Sequence, residues 1–229
     1  MSMNAKEIIR EFILDKEISE RERKERFEIA WDIYHSFDDI AFQVKKELMG
    51  SLLEKMKTSE EFTEFLVYDD GMLSGKKFGG IEVIKESWKT SNRERHGILN
   101  YRLESDKVNI HDLFIGIRKL DENKGIPFKG NWQNIQEPKS LVEKSREIYE
   151  VFYKNLDKAS SSEWWIAWRY LDAYYCGMWE EEFYSKIVTK EGLEESINYI
   201  FDMFVKMKEA TESLIDEFVE IYKRENQEV

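Results

Sequence analysis

Acid–base, nucleophilic or metal chemistry in this chain would first fall to three histidines and one cysteine: His35, His96, His111 and Cys176. His111-Asp112, at the start of an expected strand, has the letters of a general base with its orienting carboxylate, or of two metal ligands. Adjacent strand residues point to opposite faces, however, and no second His or Cys stands at ligand spacing, so a structural or solvent-facing role suits the pair better. His96 lies in Asn92-Arg-Glu-Arg-His96, a polar hairpin loop. Cys176 sits in an aromatic setting, Asp-Ala-Tyr-Tyr-Cys-Gly, and reads as a buried, inert thiol. The sequence offers no nucleophile elbow, phosphate-binding glycine loop or zinc spacing, and Gly79-Gly80 is too little for a nucleotide cradle.

Aromatic residues are the other group with chemistry to offer. Trp164, Trp165, Trp168, Tyr170, Tyr174, Tyr175 and Trp179 crowd one stretch. As a surface they would stack bases or anchor a protein partner, with Arg169 adding a cationic contact. As core they would divide between the interior and the edge of a sheet. Trp164, Trp165, Trp168, Arg169 and Tyr174 are the binding residues this cluster nominates.

The elements that must hold these groups follow from periodicity. Residues 4–57 read as helix in two pieces, one with Ile8, Ile9, Phe12 and Ile13. The other carries Phe27, Trp31, Tyr34, Phe37, Ala41, Val44 and Leu48 at intervals of three and four. The intervening Ser19-Glu-Arg-Glu-Arg-Lys-Glu-Arg26 mixes both signs and reads as a solvated face. From Phe62 the period changes. Asp69-Asp70-Gly71 signals a turn, and Gly80 to Trp88, Gly97 to Glu104 and Leu113 to Arg118 alternate as short strands of an antiparallel meander. Along the second of these, Ile98, Asn100 and Arg102 face one way, and Leu99, Tyr101 and Leu103 the other. Asp121 to Glu137, which contains Pro127 and ends just before Pro138, reads as an irregular excursion, and Ser140 to Leu156 returns to helix. Glu163 to Leu171 fits strand or helix, its bulky aromatics favouring a strand of the same sheet. Leu193 to Tyr222 gives a strongly amphipathic closing helix. The expectation is one α+β domain over residues 1–229. A helical region would span residues 1–58, the antiparallel sheet, of about four to five strands, would span 62–120, and helices with the aromatic segment would fill 139–229.

Composition bounds the function. The 229 residues are 41% hydrophobic and 14% aromatic, enough for a packed core. One cysteine leaves no disulfide framework and fits a reducing cytoplasm; no apolar run reaches membrane-spanning length, and the first residues lack a secretory signal's apolar stretch. A cytoplasmic protein is expected. The net charge of −12 is uneven: residues 191–229 hold four basic and eleven acidic side chains, residues 76–130 twelve basic and eight acidic. Overall charge argues against a nucleic-acid binder, and the local excess leaves room only for a small basic patch.

The succession of Gly80-Ile-Glu-Val-Ile-Lys-Glu-Ser-Trp-Lys89, Tyr101-Arg-Leu-Glu104, Asp112-Leu-Phe-Ile-Gly-Ile-Arg118 and the Trp164–Trp179 aromatics resembles the C-terminal accessory region of bacterial and phage proteins of the PD-(D/E)XK nuclease superfamily. The resemblance covers roughly residues 10–220 and rests on structural motifs. That superfamily's chemistry needs an Asp, then Asp or Glu, one residue, and Lys on adjoining strands, the acids holding Mg²⁺. Asp69 or Asp70 with Glu82 departs from this pattern, because the next lysine is Lys85 and alternation puts it on the other face. Asp112 with Glu122-Asn-Lys124 has the letters, but in an irregular stretch. The resemblance thus implies the accessory half without the catalytic half.

Two readings follow. The first is a non-catalytic protein-binding or regulatory module without cofactor, of a kind that suits a phage- or prophage-encoded inhibitor or decoy of a defence system. The alternative is an accessory component of a Mg²⁺-dependent nuclease acting on DNA or RNA through Asp112, Glu122 and Lys124. A self-associating structural protein, a homo-oligomer, is a third.

Overall fold

The computed structural model describes residues 10–13, 15, 17–89, 97–107, 110, 112–119, 138–162, 164–176 and 181–225. Helix α1 is Glu20–Thr58, and the five strands are β1 Phe65–Asp70, β2 Gly80–Lys85, β3 Leu99–Ser105, β4 Leu113–Lys119 and β5 Trp165–Tyr170. Helix α2, Lys139–Leu156, precedes β5; α3, Ala173–Cys176, α4, Glu181–Ile187, and α5, Lys190–Glu225, follow it. The fold is α+β, and every neighbouring pair in the sheet order β1-β2-β3-β4-β5 is antiparallel. The ambiguous aromatic segment is a strand. It joins the meander at the edge of β4, with a register shift beside Ile117 and Arg118.

The chain divides into two compact units, residues 1–43 and 44–229, with the boundary inside the helical region that the sequence assigns to residues 1–58. In the first unit, Ser19 starts α1 by accepting the Glu22 amide at 3.2 Å, and Glu20 and Glu22 lie in the positive first turn. Residues 10–13 are helical. Arg26 places its guanidinium 5.0 Å from the Phe12 ring centre and donates to the Phe12 carbonyl. The expected apolar stripe of α1 is not buried along its whole length. Phe27, Trp31, Tyr34 and Phe37 are at least half exposed, and burial begins at Ala41. Periodicity marks an apolar face; it does not say what covers that face.

In the second unit one face of the sheet packs on α2 and α5. Leu99, Tyr101 and Leu103 of β3 and Ile115 and Ile117 of β4 are fully buried there, as are Ile148, Phe152, Ile200, Phe204, Met207 and Phe218 from the helices. Leu48, Met49, Leu52 and Met56 bring the end of α1 into the same core, where Lys55 bonds Asn198 of α5. The Tyr101 hydroxyl meets Thr211 Oγ1 of α5 at 3.2 Å, so this buried oxygen is not left without a partner. At the sheet's edge Asp216 of α5 accepts from Trp88 Nε1 at 2.6 Å and from Lys85 Nζ at 2.8 Å, with Glu212 on the same ammonium. Burial alone would lower Lys85, but the two carboxylates outweigh it and hold the ammonium above its ordinary value.

Candidate functional site

The sheet face away from α5 is laid out in rows by the strand register. One row runs Tyr68, Glu82, Arg102, Gly116 and Trp168 across β1 to β5. The next runs Asp70, Gly80, Glu104, Phe114 and Tyr170. Asn100 and Arg118 are cross-strand partners in a third row, which ends at Trp165. Half of the face is therefore ionic and half aromatic.

Arg102 organises the ionic half. Its Nε donates to Glu104 at 2.6 Å, Nη1 to Glu82, and Nη2 to the Phe78 carbonyl at 2.8 Å, with Asp70 Oδ2 at 3.0 Å from Nη2. Arg102 and Glu82 are 1% exposed. A planar fork with five donors suits this site, because three carboxylates and a carbonyl converge on it from different strands. The guanidinium reaches them by lying across Gly80, where a Cβ would stand 2.5 Å from Arg102 Cζ. Arg118 adds a second, partly exposed guanidinium, 3.8 Å from Glu82 and 3.7 Å from Glu104. Burial holds Glu104 above the usual carboxylate range, and Arg102 and Arg118 offset only part of that. Burial also lowers Arg118, helped by the like charge of Arg102. Asn100, fully buried beside them, has neither amide atom hydrogen-bonded among the described residues.

The aromatic half centres on Phe114. Its ring lies 5.2 Å from Trp165, 5.4 Å from Trp168 and 5.9 Å from Tyr170, all edge-to-face. Gly116 makes room, since β5 approaches so closely that a Cβ there would collide with the Ala167 carbonyl oxygen. Trp165 is buried and Trp168 half-buried, while Tyr170 is 52% exposed and forms the rim.

The nominated binding residues are thus distributed. Trp165 and Trp168 share the Phe114 cluster, and Trp164 is exposed just before β5, its carbonyl accepting from the Lys119 amide. Arg169 does not join them: it pairs with Ile115 on the helix-covered face, and its guanidinium bonds the carbonyls of Leu156 and Tyr170. Tyr174 belongs to a separate stack, with Lys186 Nζ 4.0 Å from its ring centre, Tyr175 against it, and Tyr199 parallel to Tyr175 at 4.2 Å. Asp112 is about half exposed and lies 3.9 Å from Lys107 Nζ; Glu122 and Lys124, like His96 and His111, fall outside the described residues. His35 is exposed against Trp31, and burial pushes the Cys176 thiol well up.

Asp70 and Glu82 do come together, with Lys85 on the other face as alternation requires. Their lone pairs face a guanidinium, so any cation would have to displace Arg102. Among the described residues no group of three or more His, Cys, Asp or Glu is arranged to hold a metal, and no helix is long and apolar enough to cross a membrane. Sequence reasoning missed this cluster. The signal was present in the polar face it assigned to Asn100 and Arg102, with Glu104 two residues further along the same strand and Glu82 in the neighbouring one.

Compared with known proteins, the chain matches no family model, no curated protein and no solved structure.

Proposed function

We propose that the chain is a non-catalytic protein-binding module whose contact surface is the aromatic half of this sheet face. The observation that carries the reading is the pairing of a partly exposed Trp168–Tyr170 rim with a platform that Arg102 locks by charge. Rigid aromatic anchors on a preorganised surface are what binding hot spots need, because little side-chain entropy is lost on contact. A net charge of −12 favours a basic partner, steering it electrostatically. The element order resembles a nuclease accessory region without its catalytic half, which agrees with a non-catalytic role; a phage-encoded inhibitor of a defence system is one setting for it.

Photo-crosslinking tests the proposal. A benzophenone side chain at Tyr170 is expected to trap one defined partner, identified by mass spectrometry, and Trp168→Ser is expected to reduce the yield about tenfold. The same probe at Tyr153, equally exposed on α2, should trap none of it. Equal yields at both sites would overturn the reading. So would cleavage of DNA or RNA in Mg²⁺ or Mn²⁺ that Glu122→Ala abolishes, which would install the nuclease alternative.

A further inference from the structure

The ionic half of the sheet face holds polar groups that the fold does not use. Asn100 is fully buried on β3, and neither its Oδ1 nor its Nδ2 is hydrogen-bonded among the described residues. Its cross-strand partner on β4 is Arg118, whose side chain is 25% exposed. The nearest carboxylate oxygens stand 3.8 and 3.7 Å from that guanidinium, beyond hydrogen-bond reach, so its N–H groups are also unused among the described residues. Trp168 Nε1, one row over on the same face, is buried and likewise has no acceptor there. A buried amide without partners costs a fold the desolvation of both its ends, and native structures leave few such groups. Arg102, on the same side of β3, is by contrast satisfied on all three of its nitrogens.

The surrounding charges decide what would pair with these atoms. An anion seated on Arg118 would stand beside Glu82 and Glu104, and a cation seated on Asn100 would face Arg118 and Arg102. A neutral group meets neither repulsion. The unused atoms also call for more acceptor than donor capacity: Asn100 Nδ2, Arg118 and Trp168 Nε1 donate, and only Asn100 Oδ1 accepts. A planar carboxamide has that balance. One of its N–H groups reaches Oδ1 while its oxygen takes Nδ2, the two-bond pairing that one primary amide makes with another, and the second lone pair is left for Arg118. Entry is past Arg118, which breaks no hydrogen bond among the described residues when it turns aside.

We infer that Asn100 and Arg118 form a binding subsite for a neutral carboxamide, separate from the aromatic contact surface and not resting on it. Three probes of one shape and different charge test this on the full chain: acetamide, acetate and acetamidinium. The readout is the side-chain amide resonance of Asn100 in the nitrogen-15 spectrum, assigned by its loss in Asn100→Leu. Acetamide is expected to shift it saturably, together with the backbone amides of Gly116 and Arg118, and the two ions are expected to leave all three in place. Asn100→Leu puts an apolar group of similar size where the unpaired amide was. It should abolish the acetamide shifts at Gly116 and Arg118 while the urea midpoint stays level or rises, because a group kept for a ligand costs stability. No saturable shift with acetamide, or equal shifts with either ion, would overturn the inference. So would acetamide shifts that persist in Asn100→Leu, or a midpoint well below the parent's, which would assign the amide to an internal water that the fold requires.

Discussion

Arg102 shows how much can hang on one side chain. It satisfies acceptors from β1, β2, β3 and the segment before β2, while its own side chain is almost wholly buried. Arg102→Met would strand Asp70, Glu82 and Glu104, and is expected to cost about 3–5 kcal/mol by urea denaturation. Arg102→Lys should recover little, since an ammonium cannot fork to partners on three strands. Glu104 adds a pH signature. Because burial raises its carboxyl in the folded state, the native protein binds that proton more tightly than the unfolded chain does. Its contribution is therefore complete below the ordinary value of 4.5 and is lost as pH rises through the raised one. Glu104→Gln removes that loss, so urea midpoints of variant and parent should shift in the variant's favour as pH rises above 4.5. At this scale the sequence disclosed which residues were charged and which way β3 alternated. It did not disclose that three acids and two arginines from four strands converge, because convergence depends on register.

At the scale of elements, alternation in β3 and the 3.6-residue period of α5 were legible because each has one face against the core. β5 was harder to read: an apolar aromatic run fits a strand or a buried helix by period, its bulky side chains only favour the strand, and pairing with β4 decides it. Asp216 joins α5 to the end of β2. Asp216→Ala removes an acceptor from Trp88 Nε1 and a counter-charge from Lys85, and should cost about 1–3 kcal/mol by urea denaturation. Asp216→Asn, which keeps an acceptor for the indole, should recover some of this. Intrinsic fluorescence checks the assignment, because Trp88 is fully buried beside Tyr101 and its emission should change before unfolding in the alanine variant alone.

For the whole molecule, the division at residues 43 and 44 matters most. One domain over residues 1–229 is the expectation from the sequence, since both terminal helices would share one core with the sheet. The core of residues 44–229 nevertheless contains the sheet, both packed helices and the end of α1 from Leu48 onward. A chain starting at Val44 is therefore expected to unfold cooperatively with the parent's urea midpoint. A shallow, non-cooperative transition would show that the first unit supports the core.

Gly80 carries one last implication, for descent. A methyl group at 80 would stand 2.5 Å from the Arg102 guanidinium carbon and 2.7 Å from the Leu103 carbonyl oxygen, so the position cannot gain a side chain while β3 and its arginine keep their places. A lineage that keeps the arginine, and with it the reason for three acids beneath, must therefore keep the glycine. Among diverged copies of this gene, every one that retains the arginine should retain the glycine.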